Sequence, residues 1–166
     1  MSMIPDKIIT AREIFLLSLL FFSACALKPV SDMDNPDYHY KAGMRHIEAG
    51  KYKASLTSFQ RAIDVDKKFA LAHAGMGIAY ANLKDKKSAK KHANKAEGLG
   101  GKDPSVLAIC CKTYIDLRDQ DKRWYKSAER LVRKALKKSK SHESANYYKG
   151  EMLLYQHKFS EAEDQF

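Results

Sequence analysis

Gly43, Gly77 and Cys111 are spaced 34 residues apart each time, and so are the tyrosines at 80 and 114. The same interval separates Ser55 from Ala89, Ala62 from Ala96, Ala128 from Ala162, Tyr125 from Phe159 and Val132 from Phe166. One interval differs: Ala89 to Ala128 and Cys111 to Gly150 are both 39, placing five extra residues between Tyr114 and Ala128, around Asp119 to Arg123. A period this short restricts the fold severely, because one unit cannot bury its own apolar face and must stack on its neighbours. Each unit reads as two helices. Leu56, Phe59, Ala62 and Ile63 fall three or four apart and share one helical face. Small side chains at Gly43, Ser55 and Ala62 let helix axes approach. Gly50 can end a helix because it tolerates positive φ. Asp103-Pro104 supplies a capping oxygen followed by a proline at a first turn, and Gly98 to Gly101 ends the preceding helix.

The clearest copy runs from Gly43 to Asp66, G-x-x-x-I-E-A-G-K-Y-K-A-S-L-T-S-F-Q-R-A-I-D-V-D. It resembles the tetratricopeptide repeat, with a small residue in the first helix, Gly-x-Tyr at the turn, and small, aromatic and Ala positions in the second. The last copy carries Gly150, then Lys158-Phe159-Ser160-Glu161-Ala162. The chain departs from the pattern where Lys67 stands in place of a closing proline, Lys84 stands opposite Gly50, and Cys111 replaces a glycine. The resemblance implies an all-α, right-handed superhelical solenoid of about 3.5 repeats. Its copies are expected at 36–69, 70–103, 104–142 (with the longer inter-helix turn) and 143–166, the last incomplete. The fourth copy stops within its second helix, so a longer polypeptide is expected, the alternative being a short exposed last helix.

The same resemblance implies a concave groove lined by the first helices. Carried onto this chain, its residues are Tyr40, Met44 and Ile47; Ala74, Ile78 and Ala81; Ala108, Lys112 and Ile115; Tyr147, Glu151 and Leu154. That wall is mainly apolar and lacks the Lys/Asn/Arg clamp with which some relatives hold a C-terminal carboxylate. It suits an amphipathic helix or an extended segment with hydrophobic anchors.

Residues Ile14 to Phe22 read I-F-L-L-S-L-L-F-F, with Lys7 and Arg12 before them and Ser23-Ala24-Cys25 after. A charged start, a short apolar run and small residues before a processing point describe a secretory signal. The apolar run to Leu27 is about 14 residues, short of the ~20 that a spanning helix needs. Phe-Ser-Ala-Cys at 22–25 resembles the lipobox of bacterial lipoproteins, with Phe22 departing from the usual Leu or Val. The resemblance implies a signal peptide at 1–24, cleavage before Cys25, lipidation of the Cys25 thiol with acylation of the new amino group, and a polar tether at 25–35. Ala26 after the cysteine favours the outer membrane over inner-membrane retention. Acyl chains hold a soluble domain at a membrane because each buried methylene adds roughly 0.8 kcal/mol. The other readings are an uncleaved or conventional signal and a buried helix with an incidental cysteine.

The formal net charge is +10, from 30 Lys and Arg against 20 Asp and Glu. Nine basic residues crowd Lys122 to Lys140, and Lys126, Arg130, Arg133 and Lys137 lie along one helical face at spacings of four, three and four. The bland reading is a solvated outer face. The functional one is attraction to an anionic lipid surface or an acidic partner. Nucleic acid is disfavoured for an exported chain. The six histidines form no metal-ligand spacing, and no phosphate-cradling glycine loop or nucleophile elbow is present. Cys110 and Cys111 fit a disulfide framework no better, and read as compact core side chains. No cofactor and no metal are therefore expected.

The chain is expected to be a non-enzymatic scaffold for protein–protein interaction. It looks like the small tethered repeat lipoproteins of pilus and outer-membrane assembly, facing the periplasm. Two alternatives remain from sequence: a basic structural protein of the membrane surface, and a repeat module of a longer protein whose function is encoded beyond Phe166.

Overall fold

The computed structural model describes residues 35–165. The expected signal and lipidated Cys25, and Phe166, lie outside the described residues. The described residues form eight helices in order: α1 (Pro36–Glu48), α2 (Tyr52–Val65), α3 (Ala70–Asn82), α4 (Lys86–Gly100), α5 (Pro104–Asp116), α6 (Trp124–Lys138), α7 (Glu143–Tyr155) and α8 (Phe159–Glu163). They pair as hairpins, α1 with α2 through α7 with α8, and each hairpin packs on the next. The fold is an all-α solenoid of helical hairpins. The first helices start at 36, 70 and 104, the same 34-residue step seen in the sequence.

Local chemistry sets the helix ends. Asn35 and Asp103 each precede a proline at the first turn, and their side chains accept the Asp37 and Ser105 N–H groups at 2.9 and 2.8 Å. Asp85 caps α4 by accepting from the Ser88 N–H at 2.9 Å, and the His142 ring caps α7 at the Ala145 N–H. Three of the inter-helix turns close alike. The N–H groups of Lys51, Asp85 and Lys158 donate to the carbonyls of His46, Tyr80 and Leu153, at 2.8, 2.9 and 3.0 Å. That closure needs a left-handed residue one position earlier. Gly50 provides it at φ 70°, but Lys84 and His157 adopt φ 65° and 59°, a conformation that costs a non-glycine residue about 1 kcal/mol.

The third connection, residues 117–123, is built differently. Asp121 is almost fully buried there. It accepts from Lys90 Nζ at 2.8 Å and from the Arg123 N–H at 3.1 Å, and Lys86 Nζ lies 3.7 Å away. Lys86 Nζ also donates to the Gln120 carbonyl at 3.0 Å. These contacts bind the inserted loop to α4. The Lys90 hydrogen bond, acting against burial, holds the Asp121 carboxyl below the usual carboxylate range.

The central first helices are buried on nearly every side: α3 from Ala72 to Ala79 without a break, α5 from Val106 to Cys111 and again at Thr113 to Ile115. A helix enclosed by neighbours has no polar stripe to show. Close approach explains one glycine in particular. A Cβ at Gly77 would come within 2.8 Å of Thr113 Oγ1, so α3 and α5 pack backbone against side chain.

Candidate functional site

The twelve groove positions do not form one open surface. Ala74, Ala81, Ala108 and Ile115 are fully buried and Ile78 is 2% exposed. Tyr40, Met44, Ile47, Lys112 and Glu151 are half-buried, while Tyr147 and Leu154 are exposed. Tyr40 of α1 packs onto the same core cluster as Ala74 and Ala108. Burial and the neighbouring Tyr148 of α7 raise the Tyr40 hydroxyl above the usual phenol range, and burial pushes Tyr148 up to about 12.

Four of the twelve residues meet in one recess of about 280 Å³: Met44, Ile47, Ile78 and Lys112. Tyr148, Glu48, Tyr52, Asn82 and Asp116 complete its walls. A polar row forms part of its wall. Asn82 Nδ2 donates to Asp116 Oδ2 at 3.0 Å and to the Ile78 carbonyl at 3.0 Å. Lys112 Nζ donates to Asp116 Oδ1 at 2.7 Å and to Glu151 Oε1 at 3.3 Å. Burial opposes the Lys112 charge, but Asp116 and Glu151 outweigh it and hold the ammonium above the usual lysine range. The row fixes α3, α5 and α7 in register. It also commits Lys112 to ion pairs, leaving the apolar side chains and the exposed Glu48 as the accessible chemistry of the recess.

The basic stripe on α6 is divided. Arg130 makes a bidentate pair with Glu97 of α4, at 2.6 and 2.8 Å, and Lys134 joins it at 3.2 Å. The Arg130 hydrogen bond is the main reason that the Glu97 carboxyl sits below its usual range. Arg133 pairs with Glu129 at 2.9 Å. Lys126 and Lys137 are exposed and make no ion pair among the described residues. Half of the stripe is thus neutralised by the protein's own carboxylates, one pair tying α6 to α4.

Cys110 and Cys111 are free thiols with no exposure. Cys110 Sγ donates to the Ala93 carbonyl at 3.5 Å, and Cys111 Sγ lies 3.8 Å from the Met152 sulfur. Burial pushes the Cys110 thiol up to about 12 and raises Cys111 as well, so neither forms a reactive thiolate at neutral pH. Iodoacetamide applied to folded Cys25→Ala protein is expected to leave both unmodified, and to add two labels once urea is present. Labelling without denaturant, read by intact mass, would contradict their burial.

Sequence reading did not single out the His73–His92 contact. The two Nδ1 atoms lie 3.3 Å apart between α3 and α4, His73 is 2% exposed, and Tyr80 stacks on His92. Their separation of 19 residues matches neither the repeat nor a ligand motif. Among the described residues no group of three or more His, Cys, Asp or Glu could hold a metal ion, and no helix is long and apolar enough to cross a membrane.

Comparison with known proteins agrees with this architecture. Residues 43–84 match the family model described as TPR repeat, the tetratricopeptide repeat. No curated protein matches the chain by sequence. Among solved structures it is similar to MamA, from residue 41 to the end, of Desulfovibrio magneticus RS-1. The identity is 16%, over 80% of this chain and 72% of that one, with a TM-score of 0.53. A double mutant of MamA RS-1 (ArsTM) gives 16% identity over 92% and 80%, with a TM-score of 0.51. PilF of Pseudomonas aeruginosa gives 15% over 78% and 72%, with a TM-score of 0.43. At such identities the MamA likeness is one of fold. The described chain is an all-α solenoid of helical hairpins, and its residues 43–84 match the tetratricopeptide repeat.

Proposed function

We propose that the chain is a non-enzymatic docking protein, lipid-anchored at Cys25 on the periplasmic face of a bacterial outer membrane, that holds a partner protein during envelope or pilus assembly. The observation that carries the docking role is the recess at Met44, Ile47, Ile78 and Tyr148, whose apolar side chains stand beside the hydrogen-bonded row of Asn82, Asp116, Lys112 and Glu151. It suits one hydrophobic anchor of a partner segment. Ser23-Ala24-Cys25 after a short apolar run supports the anchor. A tether would raise the effective concentration of the partner site, so modest contact affinity suffices.

Anchor and docking are tested separately. The chain is expressed from its own start codon in a Gram-negative host, beside Cys25→Ala, and the intact mass of membrane-extracted protein is measured. A mature form beginning at acylated Cys25, absent from the control, is expected. An unmodified full-length product would remove the membrane address in that host and leave the recess untouched. For docking, Met44→Glu is the informative variant, because Met44 is half-buried whereas Ile78 is enclosed and a charge there would unfold the hairpin. Met44→Glu is expected to keep its helical circular dichroism and lose a partner crosslinked to the wild type in envelope extracts. Undiminished crosslinking would exclude the recess.

A further inference from the structure

We propose that the recess at the ends of α1, α3 and α5 selects a partner segment in which an apolar anchor side chain has a lysine or arginine beside it. This rests on the docking reading above and deepens it, by naming the chemistry of the segment. The recess repeats one register three times. Met44, Ile78 and Lys112 are 34 positions apart, and so are Glu48, Asn82 and Asp116. Glu48, Asn82 and Asp116 are also the last residues of α1, α3 and α5. The recess therefore lies at three helix C-termini, whose carbonyl ends carry negative partial charge and favour a cation.

The side chains add to that field. Among the described residues that line the recess, Lys112 alone is cationic. Its Nζ faces two carboxylates, Asp116 at 2.7 Å and Glu151 at 3.3 Å, so its charge offsets one and leaves the other. Glu151 Oε2 is buried and has no hydrogen-bond partner among the described residues. Glu48 lines the recess, is exposed, and makes no ion pair among the described residues. The whole chain carries +10, so the recess is a negative site on a positive protein. That contrast decides the occupant. Net charge attracts acidic segments at long range, whereas contact at the recess favours a basic one. The anchor packs against Met44, Ile47, Ile78 and Tyr148, in a volume of about 280 Å³ that suits one large apolar side chain. A neighbouring cation then comes within reach of Glu48, which would repel a glutamate at the same place.

The test selects a phage-displayed library of random linear peptides on the immobilised full chain, beside Met44→Glu and Glu48→Lys, with circular dichroism confirming that both variants keep their helices. Relative to Met44→Glu, the wild type is expected to enrich peptides that carry an aliphatic or aromatic residue with lysine or arginine one or two positions away. The most enriched peptide is then labelled with fluorescein. Exchanging its basic residue for glutamate is expected to weaken binding to the wild type at least about tenfold in fluorescence anisotropy, the preference shrinking with salt. Glu48→Lys is expected to abolish or invert that preference. Enriched peptides with an apolar anchor and no basic neighbour, or a preference that survives Glu48→Lys, would overturn the proposal and leave the docking reading in place. No enrichment over Met44→Glu would overturn both. A dimer in sedimentation that Glu48→Lys dissolves would make a second copy the occupant. Tighter peptide binding by Leu27→Ser/Lys28→Ser would assign the recess to this chain's own Leu-Lys pair. Either of these results would overturn a separate partner.

Discussion

Phe59→Ala is expected to cost about 3–5 kcal/mol, the range for truncating a fully enclosed aromatic side chain. The ring has no exposure and belongs to the cluster formed with Ala62, Ile63, Ala72 and Met76. It occupies a slot between two helices of different hairpins: a Cβ placed on either Gly43 of α1 or Gly75 of α3 would run into the Phe59 ring. The ring therefore joins the first hairpin to the second, and its loss leaves a cavity that neither glycine can fill. Set against a whole-domain stability of about 5–15 kcal/mol, this suffices to detach one end of the stack. Because stacked repeats unfold by neighbour interfaces, the loss should appear locally, with α1 and α2 losing amide protection before α5 and α6. Urea unfolding and hydrogen exchange by mass spectrometry would measure both. The reverse change probes the same slot. Gly43→Ala and Gly75→Ala are each expected to destabilise by about 1–3 kcal/mol through overpacking. Gly98→Ala, where an added Cβ meets nothing within 4 Å, should stabilise α4 by up to about 1 kcal/mol. A Phe59→Ala loss below about 1 kcal/mol, or equal effects at the three glycines, would contradict the packing described.

That slot also marks the boundary of what a sequence pattern can reveal. The 34-residue period identifies Gly43 as a small position and Phe59 as an apolar one, and these suffice for a hairpin solenoid. They do not show that Gly75 is the other wall. Nor do they show that the next step along the chain exchanges large for small: Phe59 and Gly75 are followed at the same interval by Ala93 and Ile109, both in the larger core cluster. Volume is conserved between helices while identity is not, so a position-by-position template reads only half of each contact. The inner face shows the same limit. Register places Ala74, Ala81 and Ala108 on it, but whether a small inward residue lines an open groove depends on what its neighbours reach over it. Here Tyr40 packs onto that cluster and Tyr148 shares the recess with Met44 and Ile47. Asp121 was hidden differently. Inside an irregular insertion there is no period to suggest that one carboxylate of several would be buried against Lys90. The basic stripe was legible as a face, whereas the bidentate Arg130–Glu97 pair depends on α4 and α6 lying side by side, the partners being 33 positions apart.

Acid should weaken the fold well before carboxylates are protonated, and the His73–His92 pair identifies where. With the two Nδ1 atoms 3.3 Å apart, a hydrogen bond requires one ring to donate and the other to accept, so the pair is suited to carry one proton fewer than two imidazolium ions would. Burial is the main force lowering His73, to about 4, with Lys95 and His92 adding repulsion against a backbone hydrogen bond involving Lys67. Burial likewise lowers His92, helped by Lys91 and Lys95. Tyr80 stacks on the His92 ring. An unfolded chain would protonate these rings near pH 6.5. Above that value both states are neutral and pH changes nothing. As pH falls from about 6.5 to 4, the unfolded chain binds protons that the folded chain refuses, and stability drops; below about 4 the loss is complete. For His73 alone the drop is on the order of 3 kcal/mol, with His92 acting in the same direction. Glu97 and Asp121, whose carboxyls are held low by Arg130 and Lys90, add their own loss once pH falls into the ordinary carboxylate range near about 4. The urea midpoint of the wild type is therefore expected to fall steeply between about pH 7 and pH 5, while His73→Leu/His92→Leu stays nearly flat across that window. Should the double variant fail to fold, His92→Gln alone removes one titrating ring and should shallow the slope. A wild-type midpoint that does not move above pH 5 would show that the pair is charged in the folded protein, and that α3 and α4 accommodate the charge without separating.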